Sequence, residues 1–296
     1  MIPRLLPLLI VLLLCTCDRG PTELAERAPE RRSTAADETG LTGAVTIRSG
    51  EHRVTFAPAE GGRLASYTVG GTELLKTTRD ENGWQWGSTV WTSPQSAWNW
   101  PPEKTFDAQP FTVVEQARDA VKLLSAVDPE TGLQLEKLFT FIEGPKGRYL
   151  QADYLLTNHG PDTLRRGLWE NTRLPYAGEF YFSADSLRRE GLERAFAERG
   201  ATTLVAMNEA DTEKGKMFIH PAKGRATYAG GGLRFRKLWI PVTEEVAPGQ
   251  APLEIYLAPK EGFAEFEVQG GYRTLPPGGS TTLNVAWRVG KLVAVD

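Results

Sequence analysis

The chemistry-bearing residues of this chain are most concentrated between Trp84 and Pro102, where five of the eight tryptophans fall. Flat indoles stand there beside amides and hydroxyls (Gln85, Ser88, Gln95, Asn99). That mixture suits a sugar, whose C–H faces stack on rings and whose hydroxyls need fixed polar partners. It also suits a core plug, because aromatic rings dominate core burial. Both readings stand, and between them lies a wall with two or three of the five rings exposed in a cleft. Pro94 and the Pro101-Pro102 pair exclude a regular helix, since proline lacks the N–H donor and clashes with the preceding turn. In an extended segment Trp84 and Trp86 share one face, and so do Trp98 and Trp100.

Other chemistries find less support. His52, His159 and His220 sit in or beside turns and strand ends, where a lone histidine is more often structural than catalytic. No His/Cys/Asp group has metal-ligand spacing, and Asp80-Glu81-Asn82 reads as a turn rather than a calcium site. Gly230-Gly231-Gly232 precedes a strand, not a helix, so it does not cradle phosphate. No cofactor and no metal are expected. A net charge of −3 gives no hint of a nucleic-acid partner.

The elements that must position these residues begin after an N-terminal targeting segment. Arg4 is followed by an apolar run from Leu5 to Leu14, too short to span a bilayer as a helix. Leu14-Cys15-Thr16-Cys17 resembles the lipobox of bacterial lipoproteins, with Cys17 as the lipidated residue, and a plain signal peptide is the alternative. The expectation is a lipid-anchored envelope protein facing the periplasm or the exterior. Both cysteines lie in this segment, so the mature domain has no disulfide. Residues 18–43 carry six acids, four arginines and two prolines and read as a disordered tether. From residue 44 to 296 short alternating strands follow one another, punctuated by glycine and proline. Only 186–199, with Leu187, Leu192 and Phe196 at near-helical spacing, suggests a surface helix. The class is all-β, a large single-domain sandwich.

Four motifs stand out: Gly61-Gly62-Arg63-Leu64-Ala65-Ser66-Tyr67, Gly71-Thr72-Glu73-Leu74-Leu75, Phe266-Glu267-Val268-Gln269 and Leu275-Pro276-Pro277-Gly278-Gly279-Ser280. Together they resemble the galactose mutarotase-like (aldose 1-epimerase-like) superfamily. The tryptophan- and proline-rich motif is untypical of true mutarotases and resembles an uncharacterised exported bacterial branch. The resemblance implies a β-supersandwich with a sugar cleft on its concave face. It implies a glutamate base, matched here by Glu267, and an acid histidine, which Leu168-Trp169-Glu170-Asn171-Thr172 lacks. Glu170 is the natural replacement, forming a carboxylate pair with Glu267. Its alternative is a structural ion pair with a nearby arginine. Lys237 is a further candidate, pointing into the cleft beside Trp239 or out to solvent.

Three functions follow. The first is a non-catalytic carbohydrate-binding protein with Trp91, Gln95, Trp98, Trp100, Trp169, Lys237 and Trp239 contacting sugar. The second is an epimerase with Glu267 as base and Glu170 or Lys237 as acid. The third is a structural envelope component that uses the indoles as a protein contact.

Overall fold

The computed structural model describes residues 40–79, 83–241 and 245–292. The targeting segment, Cys17, most of the tether and Asp80-Glu81-Asn82 lie outside the described residues. Leu41, assigned to the tether by composition, is buried against Ala57, Ala65 and Trp86.

Among the described residues nineteen strands are joined in antiparallel pairs. They are β1 (Val45–Ser49), β2 (His52–Ala57), β3 (Arg63–Val69), β4 (Thr72–Glu73), β5 (Ser88–Ser93), β6 (Thr112–Gln116), β7 (Ala120–Leu124), β8 (Leu133–Gly144), β9 (Gly147–Asn158) and β10 (Leu164–Pro175). Then come β11 (Gly178–Glu190), β12 (Ala197–Arg199), β13 (Thr202–Met207), β14 (Gly215–Gly230), β15 (Leu233–Trp239), β16 (Leu253–Ala258), β17 (Phe263–Gln269), β18 (Arg273–Leu275) and β19 (Ser280–Lys291). Among the described residues helix is confined to a 3-10 turn at Gln95–Ala97 and one turn, α1, at Lys104–Asp107.

One layer runs β5–β10–β17–β16–β14 and ends on the far half of β11. The other runs β7–β8–β9–β19–β15 and closes on the second half of β14. Strands β11 and β14 serve both layers by bending at a bulge between Phe182 and Ser186. The core between the layers is aromatic and aliphatic, with Phe180, Phe235, Phe266 and Trp287 in mutual ring contact. Alternation explains the burial. In β19 Leu283, Val285, Trp287 and Val289 point inward while the residues between them face out.

The segment 186–199 is not helical. Its first part continues β11, with Leu187 opposite Ile219 on β14, and Ala197–Arg199 forms β12. Ladder hydrogen bonds to two neighbours outweigh a weak helical period. Three motif residues prove structural. Glu73 accepts the backbone N–H groups of Tyr67, Leu74 and Leu75 at 2.8–3.0 Å. Gly61 and Gly62 have φ of +70° and +55°, and a Cβ at Gly61 would lie 2.3 Å from the Asp107 carbonyl oxygen.

Candidate functional site

The open face of the β5–β10–β17–β16–β14 layer carries the site. Register puts Trp91 of β5 beside Trp169 of β10. It puts Asn171 beside Glu267 of β17, Glu267 beside Glu254 of β16, and Tyr256 beside Lys216 of β14. All these side chains therefore share one face.

The tryptophan loop folds over this floor. Trp91 and Trp169 meet edge-to-face at 5.1 Å, and Trp98 stacks on Trp169 at 6.4 Å. Trp100 packs against Trp91 at 5.9 Å and Trp84 at 5.4 Å. Trp91 and Trp169 are buried, Trp98 is half-buried, and Trp100 is 47 % exposed. The loop is thus part plug and part wall. Trp86 departs from its expected partner Trp84 and packs under Arg63 and Arg79 on the other side of the loop. The segment is not uniformly extended, because the 3-10 turn and the positive φ of Asn99 (57°) reset its direction.

Buried ionic contacts hold the loop. The Arg63 guanidinium donates to the carbonyls of Trp84 and Trp86 and to Asp107 Oδ1 at 2.7 Å. That same oxygen accepts the Trp91 indole N–H at 2.8 Å. Trp98 donates its N–H to the Thr92 carbonyl, and Thr92 donates to Glu103. Burial pushes the Glu103 carboxyl up to about 7 against the Thr92 hydroxyl and the charge of Arg166.

Beneath the indoles lies a charged floor. Glu267 Oε2 accepts the Trp169 indole N–H and the Lys216 ammonium, each at 2.7 Å. Glu267 Oε1 accepts no hydrogen bond from the described residues. Lys216 also pairs with Glu254 at 2.5 Å and lies 4.7 Å from the Trp169 ring centre. Burial raises the Glu267 carboxyl, opposed by Lys216. Burial would lower Lys216, but Glu267 and Glu254 outweigh it and hold the ammonium above its ordinary value. Glu265 pairs with Arg173 at 3.0 Å, and Arg173 lies 5.1 Å from the Trp91 ring centre.

A cleft of about 290 Å³ opens above this floor, lined by Gln85, Trp91, Gln95, Trp100, Trp169, Lys216, Tyr256 and Glu265. It lies near the lower end of ligand-pocket sizes, about 300–1,000 Å³, and has room for one sugar-sized molecule.

The structure therefore brings Trp91, Gln95, Trp100 and Trp169 together, with Trp98 stacked behind and Glu267 sealed below. It separates the others. Glu170 and Glu267 point to opposite faces, because Glu170 stands opposite Val268, one residue out of phase. Glu170 lies in the core between the layers, where it accepts from Tyr154 and Trp287 and pairs with Lys237 at 2.6 Å. Its partner is that lysine and not an arginine. Lys237 and Trp239 face the same core and take no part in the cleft, since β15 turns its odd-numbered residues inward. The carboxylate pair of the cleft floor is instead Glu267 with Glu254. Sequence reasoning missed Lys216 and Glu254. Their signal was alternation, with Met217 and Ile219, and Leu253 and Ile255, buried on the other face.

The family described as "Domain of unknown function (DUF4380)" matches residues 45–290. The chain belongs to that family. No curated protein has a matching sequence. The DUF4380 domain shares its fold with a galactose mutarotase-like protein from Lactobacillus casei. Identity is 15 % and the TM-score 0.59, over 84 % of this chain and 100 % of the other. A galactose mutarotase related enzyme from Lactobacillus acidophilus is 10 % identical, with a TM-score of 0.59 over 85 % and 98 % of the two chains. A galactose mutarotase-like protein from Clostridium acetobutylicum is 9 % identical, with a TM-score of 0.54 over 84 % and 95 %. The fold of this DUF4380 domain is the galactose mutarotase-like sandwich expected from its sequence motifs.

Proposed function

We propose that this protein binds a carbohydrate in the tryptophan cleft without transforming it. One observation carries the reading: the cleft is walled by indole faces and edged by amide, phenol and charged groups, while Glu267 lies closed beneath it. A base must reach the proton it removes, directly or through one water. Glu267 has Lys216 and the Trp169 N–H on one oxygen and no exposed surface, which favours binding over epimerisation. The mutarotase-like fold supports a saccharide as the ligand class.

The proposal includes location. Leu14-Cys15-Thr16-Cys17 supports export and a lipid anchor on Cys17, facing the periplasm or the exterior. Stable anchoring requires more than one acyl chain. In the Cys17→Ser chain the protein should move from the membrane to the soluble fraction when membranes are washed at high salt, and anchoring that survives this wash unchanged rejects this part.

A glycan-array screen tests the ligand class. Binding to a defined saccharide that Trp100→Ala weakens is expected, and binding to none rejects the carbohydrate reading. The epimerase reading gains ground instead if the wild-type chain accelerates anomerisation and Glu267→Gln abolishes it.

A further inference from the structure

The outer face of the second layer is basic where β14, β15 and β19 meet, with Glu136, Asp153 and Glu179 on its flanks, although the whole chain has a net charge of −3. On β15, Arg234 and Arg236 point outward, since Leu233, Phe235 and Lys237 fill the core. Register puts Arg236 between Thr227 of β14 and Arg288 of β19. Arg225 lies on the same face. Among the described residues none of these four guanidiniums has an acidic partner within ion-pair distance. Burial, then the charges of Arg225, Arg288 and Arg234, lower the affinity of Arg236 for its proton. The rim differs, because Arg148 pairs with Glu143 and Lys291 with Glu51.

Two clefts open on this face and share Arg236. One, of about 350 Å³, has Lys223, Arg225 and the hydroxyls of Thr202 and Thr227. The other, of about 410 Å³, has Lys146, Arg148, Arg234 and Arg288. Guanidinium forks and hydroxyls together match phosphate oxygens. Two large aliphatic side chains stand out on the same face. Ile142 is 42 % exposed and lies beside the outward Tyr149, and Ile240 is 87 % exposed and keeps the parity of Arg236 and Leu238 just past β15. A soluble polyanion would leave both isoleucines in water. A bilayer offers phosphates with an apolar layer beneath them.

We propose that this face docks on an anionic phospholipid bilayer, with the arginines on headgroup phosphates and Ile142 and Ile240 at the acyl boundary. The surface is distinct from the tryptophan cleft. Lys237 and Glu170 meet in the core, so their neighbours Arg236 and Trp169 point away on opposite sides of the sandwich. Docking this way turns the cleft from the membrane toward the surrounding solvent.

The test uses the full-length Cys17→Ser chain, which cannot be acylated, with vesicles of phosphatidylglycerol mixed with phosphatidylcholine. Partition onto these vesicles, but not onto phosphatidylcholine alone, and a steep loss with added salt are expected. Arg234→Gln with Arg236→Gln and Arg288→Gln should weaken partition about a hundredfold, at about fivefold per arginine. Its thermal midpoint should stay unchanged. If the triple variant fails to fold, Arg234→Gln alone should still give its fivefold loss. Ile240→Asp should weaken vesicle binding severalfold and leave binding of inositol hexakisphosphate unaltered. Equal partition onto neutral vesicles, or no partition, overturns the proposal. So does hexakisphosphate binding at the arginines with vesicle binding indifferent to Ile240→Asp, which would assign the face to a soluble phosphate ligand.

Discussion

Two glutamate–lysine pairs lie back to back on the β10–β17 sheet, and they behave differently. Glu170 and Lys237 are sealed in the core, with Tyr154 and Trp287 donating to one carboxylate oxygen and Phe266 accepting from the lysine. Burial lowers the Lys237 ammonium despite its partner. Glu267 and Lys216 lie under the cleft, where a second carboxylate, Glu254, joins them. There the ammonium is held above its ordinary value, and its 19 % exposure gives it an edge in the cleft. Similar partners at similar distances thus serve as a closed structural joint on one face and as the charged floor of a cleft on the other. Environment, not the pair itself, decides the difference.

The comparison breaks most visibly at Lys237. Lys237→Ala leaves the buried Glu170 carboxyl without its counter-ion, and should cost about 3–5 kcal/mol in denaturant unfolding. Adding Glu170→Leu should recover much of that loss. A loss below about 1 kcal/mol in the single variant would show that the joint is dispensable.

Lys137 is also buried, donating to the Gly61 carbonyl with no carboxylate in ion-pair contact among the described residues. Burial, then Arg63, lowers it to about 7. Between that value and its ordinary 10.5 the unfolded chain holds a proton that the folded chain does not. Stability should therefore rise with pH across this window, by up to about 1.4 kcal/mol per unit. Lys137→Met should flatten the rise and be the more stable form near pH 6. An unchanged slope in the variant excludes Lys137 as its source.

Glu267→Gln should cost less, about 1.5 kcal/mol, because Lys216 keeps Glu254. Saccharide binding should survive it. Trp100→Ala should change stability by under about 0.5 kcal/mol, since the ring is half in solvent. It should weaken ligand binding by about 1 kcal/mol, or fivefold, in a titration. A large stability loss at Trp100 would make the loop a plug and not a wall.

Much of the fold was legible. Alternation in β8, β9, β16, β17 and β19 and their glycine-rich turns predict a sandwich, and the Gly-Gly-Arg and Glu267 motifs carry the superfamily resemblance. Strands β11 and β12 were not legible as strands, because glutamates and arginines on an exposed face erase the two-residue period. For the site, alternation correctly puts Glu265 and Glu267 on one face. It also separates Glu170 from Glu267, but only once register is known, and register is a property of pairing between distant segments. Arg63 and Asp107 are forty-four positions apart, and no local pattern announces that they jointly hold Trp91.

The packing of the indoles has an optical consequence. Four rings lie with centres 5.1–6.4 Å apart around Trp91 and Trp169, and their N–H groups at 91, 98 and 169 are already bonded. At such spacing the electronic transitions of neighbouring indoles couple within the cluster. Its circular-dichroism bands belong to the arrangement and overlie the weak signal of the strands. A molecule that settles against Trp100 should therefore perturb the spectrum of the cluster, which would give the proposed binding an unlabelled readout.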